Sequence, residues 1–332
     1  MVTSFAFRKI GTLQVRPIGL GCMNLSHAYG VPPTSENATE LLHQAVDLGV
    51  DFFDTAALYG FGKNEELLGK ELKKYRQNIV IATKGGMAGV DGKRVINGRP
   101  EAIRKNCEDS LQRLETDVID LYYLHRFDKM VPIEESVGEM SRLVEEGKVR
   151  YLGLSEISSA TLIKAHAVHP IAALQSEYSL WTRNPEIALL EKCKELGTTF
   201  VAFSPLGRGF LGGNLVDVGS LQQNDIRRSM PRFYPENYSK NIELLKKFRE
   251  YAQEQGCTMA QLALAWLLNQ SADLIPIPGT IRPQYLKDNI SASQIVLSPK
   301  LMRQLDATMN HFNVSGARYN ESTQKEIDTE EF

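Results

Sequence analysis

From residue 17 onward, short apolar runs alternate with amphipathic stretches. That alternation is the pattern of strand–helix units wound around a parallel sheet. The runs that predict strands are Pro17–Leu20, Val50–Asp54, Ile79–Lys84, Val118–His125, Val149–Leu154, Ala172–Gln175, Thr199–Ser204 and Leu274–Ile277. Between them lie helical patterns such as Ala38–Leu48, with Leu41, Leu42, Ala45, Val46 and Leu48 on one side, and Ile187–Leu196, with Leu189, Leu190, Cys193 and Leu196.

Eight such units predict an α/β chain closed into a (β/α)8 TIM barrel, an architecture that typically takes about 250 residues and leaves no edge strand to protect. An open, doubly wound sheet is the alternative. One domain is expected over 1–332, with the barrel core from about 16 to 306. Ahead of the first unit, Phe5–Lys9 and Leu13–Arg16 flank Ile10-Gly11-Thr12 and read as a β-hairpin able to plug the barrel floor. Two segments break the rhythm. Pro205 to about Pro235 has little periodicity and reads as a lid or binding loop among extended loops at the C-terminal face. Residues 311–332 are polar and acidic and read as a mobile tail.

Functional side chains of such a barrel sit at the C-terminal ends of its strands. The second strand ends in Asp54 with Tyr59 in the next loop, the third ends in Lys84, and the fourth ends in His125. Taken singly, each is an ordinary polar strand end; together they form a chemical set. A phenol with a pKa near ~10 donates a proton poorly unless its anion is stabilised, which an ammonium does. Lys84 supplies that charge, and Asp54 offsets the cost of removing the ammonium from water. His125 is placed to orient a substrate oxygen or to share the proton. The set suits general acid catalysis at a carbonyl, with hydride arriving from elsewhere.

Several motifs carry a family resemblance: Gly19-Leu20-Gly21-Cys22-Met23, Asp51-Phe52-Phe53-Asp54-Thr55-Ala56 through Tyr59-Gly60, Ala82-Thr83-Lys84, Asp120-Leu121-Tyr122-Tyr123-Leu124-His125, Gly153-Leu154-Ser155 and Ile277-Pro278-Gly279-Thr280. From Arg16 to about Asp306 the chain resembles the aldo-keto reductases. It looks closest to the bacterial, fungal and plant members with Glu after the Ser of the fifth strand, here Ser155-Glu156. The resemblance implies an NADP-dependent oxidoreductase that reduces aldehydes or ketones with NADPH. Its catalytic tetrad would be Asp54, Tyr59, Lys84 and His125, with Tyr59 the acid. Ser155 and Gln175 would meet the nicotinamide carboxamide, and Glu156 stands where many relatives have Asn.

Gly207-Arg208-Gly209-Phe210-Leu211-Gly212 fits G-x-G-x-x-G, but no amphipathic helix opens from it, so a Rossmann site is disfavoured. Under the resemblance, Ser204, Leu206, Gly207 and Arg208 belong to the segment that folds over the cofactor pyrophosphate. After the eighth strand, Gly279, Thr280, Arg282, Gln284 and Asn289 would hold the adenosine end, Arg282 against the 2′-phosphate. A cation at a helix start is electrostatically misplaced unless it meets an anion. Met23, Asn24, Tyr29 and Trp181 are the expected walls of a pocket for a small-molecule carbonyl substrate.

Composition narrows the partners. With a net charge of −2 and a pI near 6.3, no global field favours nucleic acid or an anionic membrane. Hydrophobic residues at 42% and charged residues at 23% suit a soluble globular protein. Cys22, Cys107, Cys193 and Cys257 show no metal spacing, and His166-x-x-His169 has no third ligand in view, so no metal is expected. The N-terminus lacks a signal-peptide core and no run suffices to span a bilayer, so a cytoplasmic protein is expected. An oligomer is possible but not indicated. Two other functions remain open. A cofactor-binding regulatory subunit, like the potassium-channel β subunits, is disfavoured by the intact tetrad and by the lack of a long N-terminal extension. A Schiff-base lyase using Lys84 leaves Tyr59 and the phosphate site unexplained.

Overall fold

Alternation within the strands decides which side chains enter the barrel. In a computed structural model that describes residues 6–90 and 93–332, every second strand residue joins one of two cores. Phe52, Val80, Ala82, Leu121, Tyr123, Ala173, Val201 and Ile275 fill the barrel interior. Their neighbours Phe53, Ile81, Tyr122, Leu124 and Leu174 pack outward beneath the helices. This is the period-two geometry of strands buried on both faces.

The hairpin is β1 (Arg8–Ile10) and β2 (Leu13–Val15). Ile10 and Val15 are fully buried within the interior cluster, so the hairpin closes the barrel floor as expected. The barrel strands are β3 (Leu20–Gly21), β4 (Phe52–Asp54), β5 (Val80–Gly85), β8 (Ile119–Leu124), β9 (Val149–Ser155), β10 (Ile171–Glu177), β11 (Thr199–Phe203) and β12 (Leu274–Pro276), parallel and in that order. Gly19 N–H donates to Pro276 O at 3.1 Å and Gly21 N–H to Pro278 O at 3.4 Å, which joins the first strand to the last. Gly21 permits this seam, since a Cβ there would lie 2.8 Å from Ile277 O.

Between β5 and β8 an antiparallel pair, β6 (Met87–Val90) and β7 (Lys93–Ile96), rises at the C-terminal face. The sequence reading does not contain this hairpin, although Asp91-Gly92 is a strong turn signal.

The helices are α1 (Ser35–Asp47), α2 (Lys63–Leu72), α3 (Pro100–Arg113), α4 (Ile133–Glu145), α5 (Ser159–Val168), α6 (Leu189–Leu196), α7 (Pro235–Glu254), α8 (Met259–Leu268), α9 (Pro283–Ser291), α10 (Pro299–Thr308) and α11 (Glu321–Gln324). In α1, Ala38, Leu41, Leu42 and Ala45 form the buried stripe, and Thr34 caps its start by accepting the Asn37 N–H at 3.3 Å. A cap of this kind is worth about 1 kcal/mol. In α4, Ile133, Val137, Met140 and Leu143 repeat at helical spacing and are buried.

The C-terminal end departs from expectation. Residues 311–332 pack against the barrel, with Arg318, Tyr319 and Ile327 buried. Asp328 accepts from Ser158 Oγ at 2.9 Å and Thr161 Oγ1 at 2.6 Å, and Glu330 accepts the Ser159 N–H at 2.7 Å. Both carboxylates therefore sit at the positive N-terminal end of α5. The segment is polar because its side chains make specific bonds.

Candidate active site

The parity that fills the barrel also aims its top layer. Asp54 follows Phe52 by two residues, Lys84 follows Ala82, His125 follows Tyr123 and Gln175 follows Ala173, so all four point inward where the strands end. Lys84 is wholly buried. Its Nζ donates to Asp54 Oδ1 at 2.5 Å, to Thr55 O at 2.8 Å and to Tyr59 OH at 3.4 Å. Gln175 Nε2 donates to the other Asp54 oxygen at 2.6 Å. The Tyr59 and His125 rings meet edge to face, 5.9 Å between centroids.

These contacts set the protonation states. Burial pushes the Tyr59 phenol above its ordinary value, and the Lys84 ammonium pulls it only partly back, so the phenol keeps its proton at neutral pH. Burial works against the Lys84 charge, but Asp54 holds its pKa above the usual value. A protonated, paired amine is a poor nucleophile, which removes the Schiff-base reading of Lys84. His125 is held well below its usual value by burial and by the cations of Arg126, Lys84 and Arg94, so its imidazole is neutral. Its Nδ1 is buried without a hydrogen-bond partner among the described residues.

Above this cluster lies a cleft of about 830 Å³. Asp54, Tyr59, His125, Ser155 and Gln175 form its floor, and Met23, Asn24 and Tyr29 form one wall. Ser204, Leu206, Arg208, Gly279, Thr280, Arg282 and Asn289 line its long side. Gly207, Arg208 and Gly209 have φ of 55°, 57° and 92°, a left-handed run that turns the chain after β11 without starting an α-helix. The segment from 205 to 235 is bound to the first loop: Val31 N–H donates to Gln222 Oε1 at 3.0 Å, Ile226 N–H to Ala28 O at 3.0 Å and Asn224 Nδ2 to Gly30 O at 3.2 Å.

Three positions expected at the cofactor or the pocket wall, Trp181, Gly207 and Gln284, do not line the cleft. Trp181 is 3% exposed and packs against Phe210 and Phe233, with centroids at 3.8 and 5.2 Å, so it supports the loop from below instead of walling the pocket. Gly207 packs on the Trp181 ring, where a Cβ would come within 2.7 Å. Gln284 lies on the outer face of α9, bonded to Asp288 at 3.0 Å. Glu156 turns away, accepting from Ser176 Oγ at 2.7 Å and Glu177 N–H at 3.1 Å, and pairing with Arg318. His166 and His169 bond to Ile171 N–H and Ser141 Oγ, and no metal-binding group of side chains occurs among the described residues.

The sequence reading also misses residues that shape the cleft: Met87 and Arg94 on the β6–β7 hairpin, Arg126 after His125, and Tyr319 from the C-terminal segment. Arg126 alone had a legible signal, since it follows a strand-end residue. Beneath the loop, Arg208 pairs with Glu177 at 2.7 Å, and Glu177 also meets Arg318 at 3.3 Å. Burial would push Glu177 up, yet Arg208, Arg318 and Arg232 hold it down at about 2.

A closed barrel with a buried Tyr–Lys–Asp–His cluster beneath its cleft has the make-up of an oxidoreductase. The model of the Aldo/keto reductase family matches residues 17–310, and the chain belongs to that family of NADP-dependent oxidoreductases. It is 46% identical over 317 residues to the Probable aldo-keto reductase 1 of Glycine max, covering 94% of this chain and 91% of that protein. The glycerol dehydrogenase of Gluconobacter oxydans superposes with a TM-score of 0.85 at 28% identity, over 92% of this chain and 95% of that one. An aldo/keto reductase of Klebsiella pneumoniae, solved in complex with NADP and acetate, gives a TM-score of 0.71 at 25% identity, over 98% and 99% of the chains.

Proposed function

We propose that the chain reduces an aldehyde or ketone to the alcohol with NADPH, and that Tyr59 donates the proton. The observation that carries this reading is the Tyr59 hydroxyl, protonated in a buried site and 3.4 Å from an ammonium that Asp54 neutralises at 2.5 Å. The residues present fit the cofactor. Arg282 lines the cleft with no carboxylate paired to it, and the buried Asn289 faces the cleft with a side-chain amide that has no partner among the described residues. Ser155 and Gln175 stand at strand ends facing the cleft, and Arg282 and Asn289 would hold the phosphorylated ribose.

When bound, the reduced nicotinamide supplies the hydride. Tyr59 and neutral His125 hold the carbonyl oxygen by hydrogen bonds, which concentrates negative charge where a proton is available. As the oxygen becomes an alkoxide, the Tyr59 proton moves to it. Lys84 stabilises the phenolate left behind, and Asp54, fixed by Gln175, keeps Lys84 in place. We place residues 205–235 as the lid over this site, on the strength of their bonds to the first loop. Four free thiols suit a reducing, cytoplasmic setting. The test is NADPH consumption, followed by its ultraviolet absorbance, across a carbonyl panel with parent and Tyr59→Phe. Turnover by the variant at the parent's rate overturns the assignment.

A further inference from the structure

Five arginines line the cleft: Arg94, Arg126, Arg208, Arg227 and Arg282. Three are neutralised by carboxylates: Arg94 by Glu326, Arg208 by Glu177 at 2.7 Å and Arg227 by Asp225 at 2.6 Å. Arg126 and Arg282 have no carboxylate within ion-pair distance among the described residues. A cation partly withdrawn from water keeps its desolvation cost unless an anion meets it. Arg282 is exposed and is assigned above to the ribose phosphate of the cofactor, whereas Arg126 is half-buried. Arg126 has no anion assigned.

The two cations stand far apart. Arg282 follows β12 and Arg126 follows β8, and these strands lie four places apart in the eight-stranded ring, on opposite sides of the barrel. Arg126 is therefore at the carbonyl end of the cleft, next to His125. Its Nη1 donates to His125 O at 2.8 Å and to Ser155 Oγ at 3.3 Å, which holds the guanidinium against the wall. Nε and Nη2 make no bond among the described residues and are not enclosed. The Arg126 charge reaches the reacting groups, since it lowers the pKa of both His125 and Tyr59.

We infer that Arg126 is a specificity-determining residue that binds an anionic group, carboxylate or phosphate ester, carried by the carbonyl substrate. The inference rests on the reductase reading above and deepens it by naming the substrate class. A guanidinium with one nitrogen fixed and two free offers a charge-assisted site for such an anion.

The test compares matched pairs. In the parent, kcat/KM is measured for 4-formylbenzoate against its neutral methyl ester, and for glyceraldehyde 3-phosphate against glyceraldehyde. At least one anionic member should be favoured about tenfold or more, and which pair shows it separates carboxylate from phosphate. Arg126→Met should lose ~10–100-fold more on that anion than on its neutral partner, the excess residing mainly in KM, since the loss of charge beside His125 and Tyr59 falls on both substrates alike. Arg126→Lys should recover part of the loss, because the charge returns without the fork. Preference for the neutral member in both pairs overturns the inference. So does an equal loss on anion and neutral partner, which would make Arg126 only a support for His125 and Ser155. If the parent reduces no carbonyl, the reductase reading fails. Calorimetric binding of benzoate and of inorganic phosphate then decides Arg126 separately: binding lost in Arg126→Met supports the site, whereas equal binding, or none in the parent, overturns it.

Discussion

Arg318 reaches from the C-terminal segment to the carboxylate of Glu156 at the end of β9, 162 residues away in the chain. The same guanidinium meets Glu177 at the end of β10, which in turn holds Arg208 of the loop over the cleft. Two strand ends, the C-terminal segment and the loop are thus joined through two buried carboxylates.

Breaking a buried ion pair from one side strands the other charge, at a cost of about 3–5 kcal/mol, while removing both partners relieves much of it. Arg318→Met should therefore lower unfolding free energy by roughly that amount, and Arg318→Met with Glu156→Gln should cost less than the sum of the two single changes. Denaturant unfolding of the four proteins checks this. Strict additivity would mean that the pair is not energetically coupled.

The network also gives acid stability a defined source. Glu177 has a pKa of about 2 in the fold, against about 4.3 in an unfolded chain. Its contribution is present above the unfolded value and is lost as pH falls through the folded one, so the window is pH 4.3 to 2. The size is on the order of 3 kcal/mol. Glu177→Gln should flatten the dependence of unfolding free energy on pH in that window, whatever it does to stability at pH 7. An unchanged slope would show that other carboxylates set the acid limb.

At the reacting centre, Tyr59→Phe keeps the ring and removes the proton. Turnover should fall about 100-fold or more while NADPH still binds. Lys84→Met should act in the same direction, and the double variant should be little worse than the worse single, because the ammonium acts through the phenol 3.4 Å away. Single-turnover rates measure both points; multiplying losses would assign the two groups separate roles.

The barrel and this cluster were legible because both follow from alternation along single strands. Asp54, Lys84 and His125 share the parity of the interior residues two positions before them. What was not legible depends on partners distant in sequence. Glu156 stands where many relatives have Asn, which leaves its role open in the sequence, and nothing near it reveals that Arg318 claims its carboxylate. Trp181 could wall a pocket or support a loop, and the path of residues 205–235 decides for the second. Polarity marked 311–332 as a free tail, but Asp328 and Glu330 are spent on the start of α5.

Cofactor choice tests the far end of the cleft. Arg282 is the residue before α9, with Nη1 bonded among the described residues only to Tyr285 OH at 3.2 Å, so its charge is available to a ligand. A charge-assisted contact to the ribose 2′-phosphate is worth about 1.5–3 kcal/mol, and NADH lacks that phosphate. NADPH should therefore bind the parent more tightly than NADH. Arg282→Ala should weaken NADPH by roughly ten- to a hundredfold, leave NADH nearly unchanged and spare turnover at saturating cofactor. Dissociation constants from quenching of protein fluorescence decide the matter. Equal affinity of the parent for both cofactors, or an equal loss of both in the variant, would show that Arg282 does not read the phosphate.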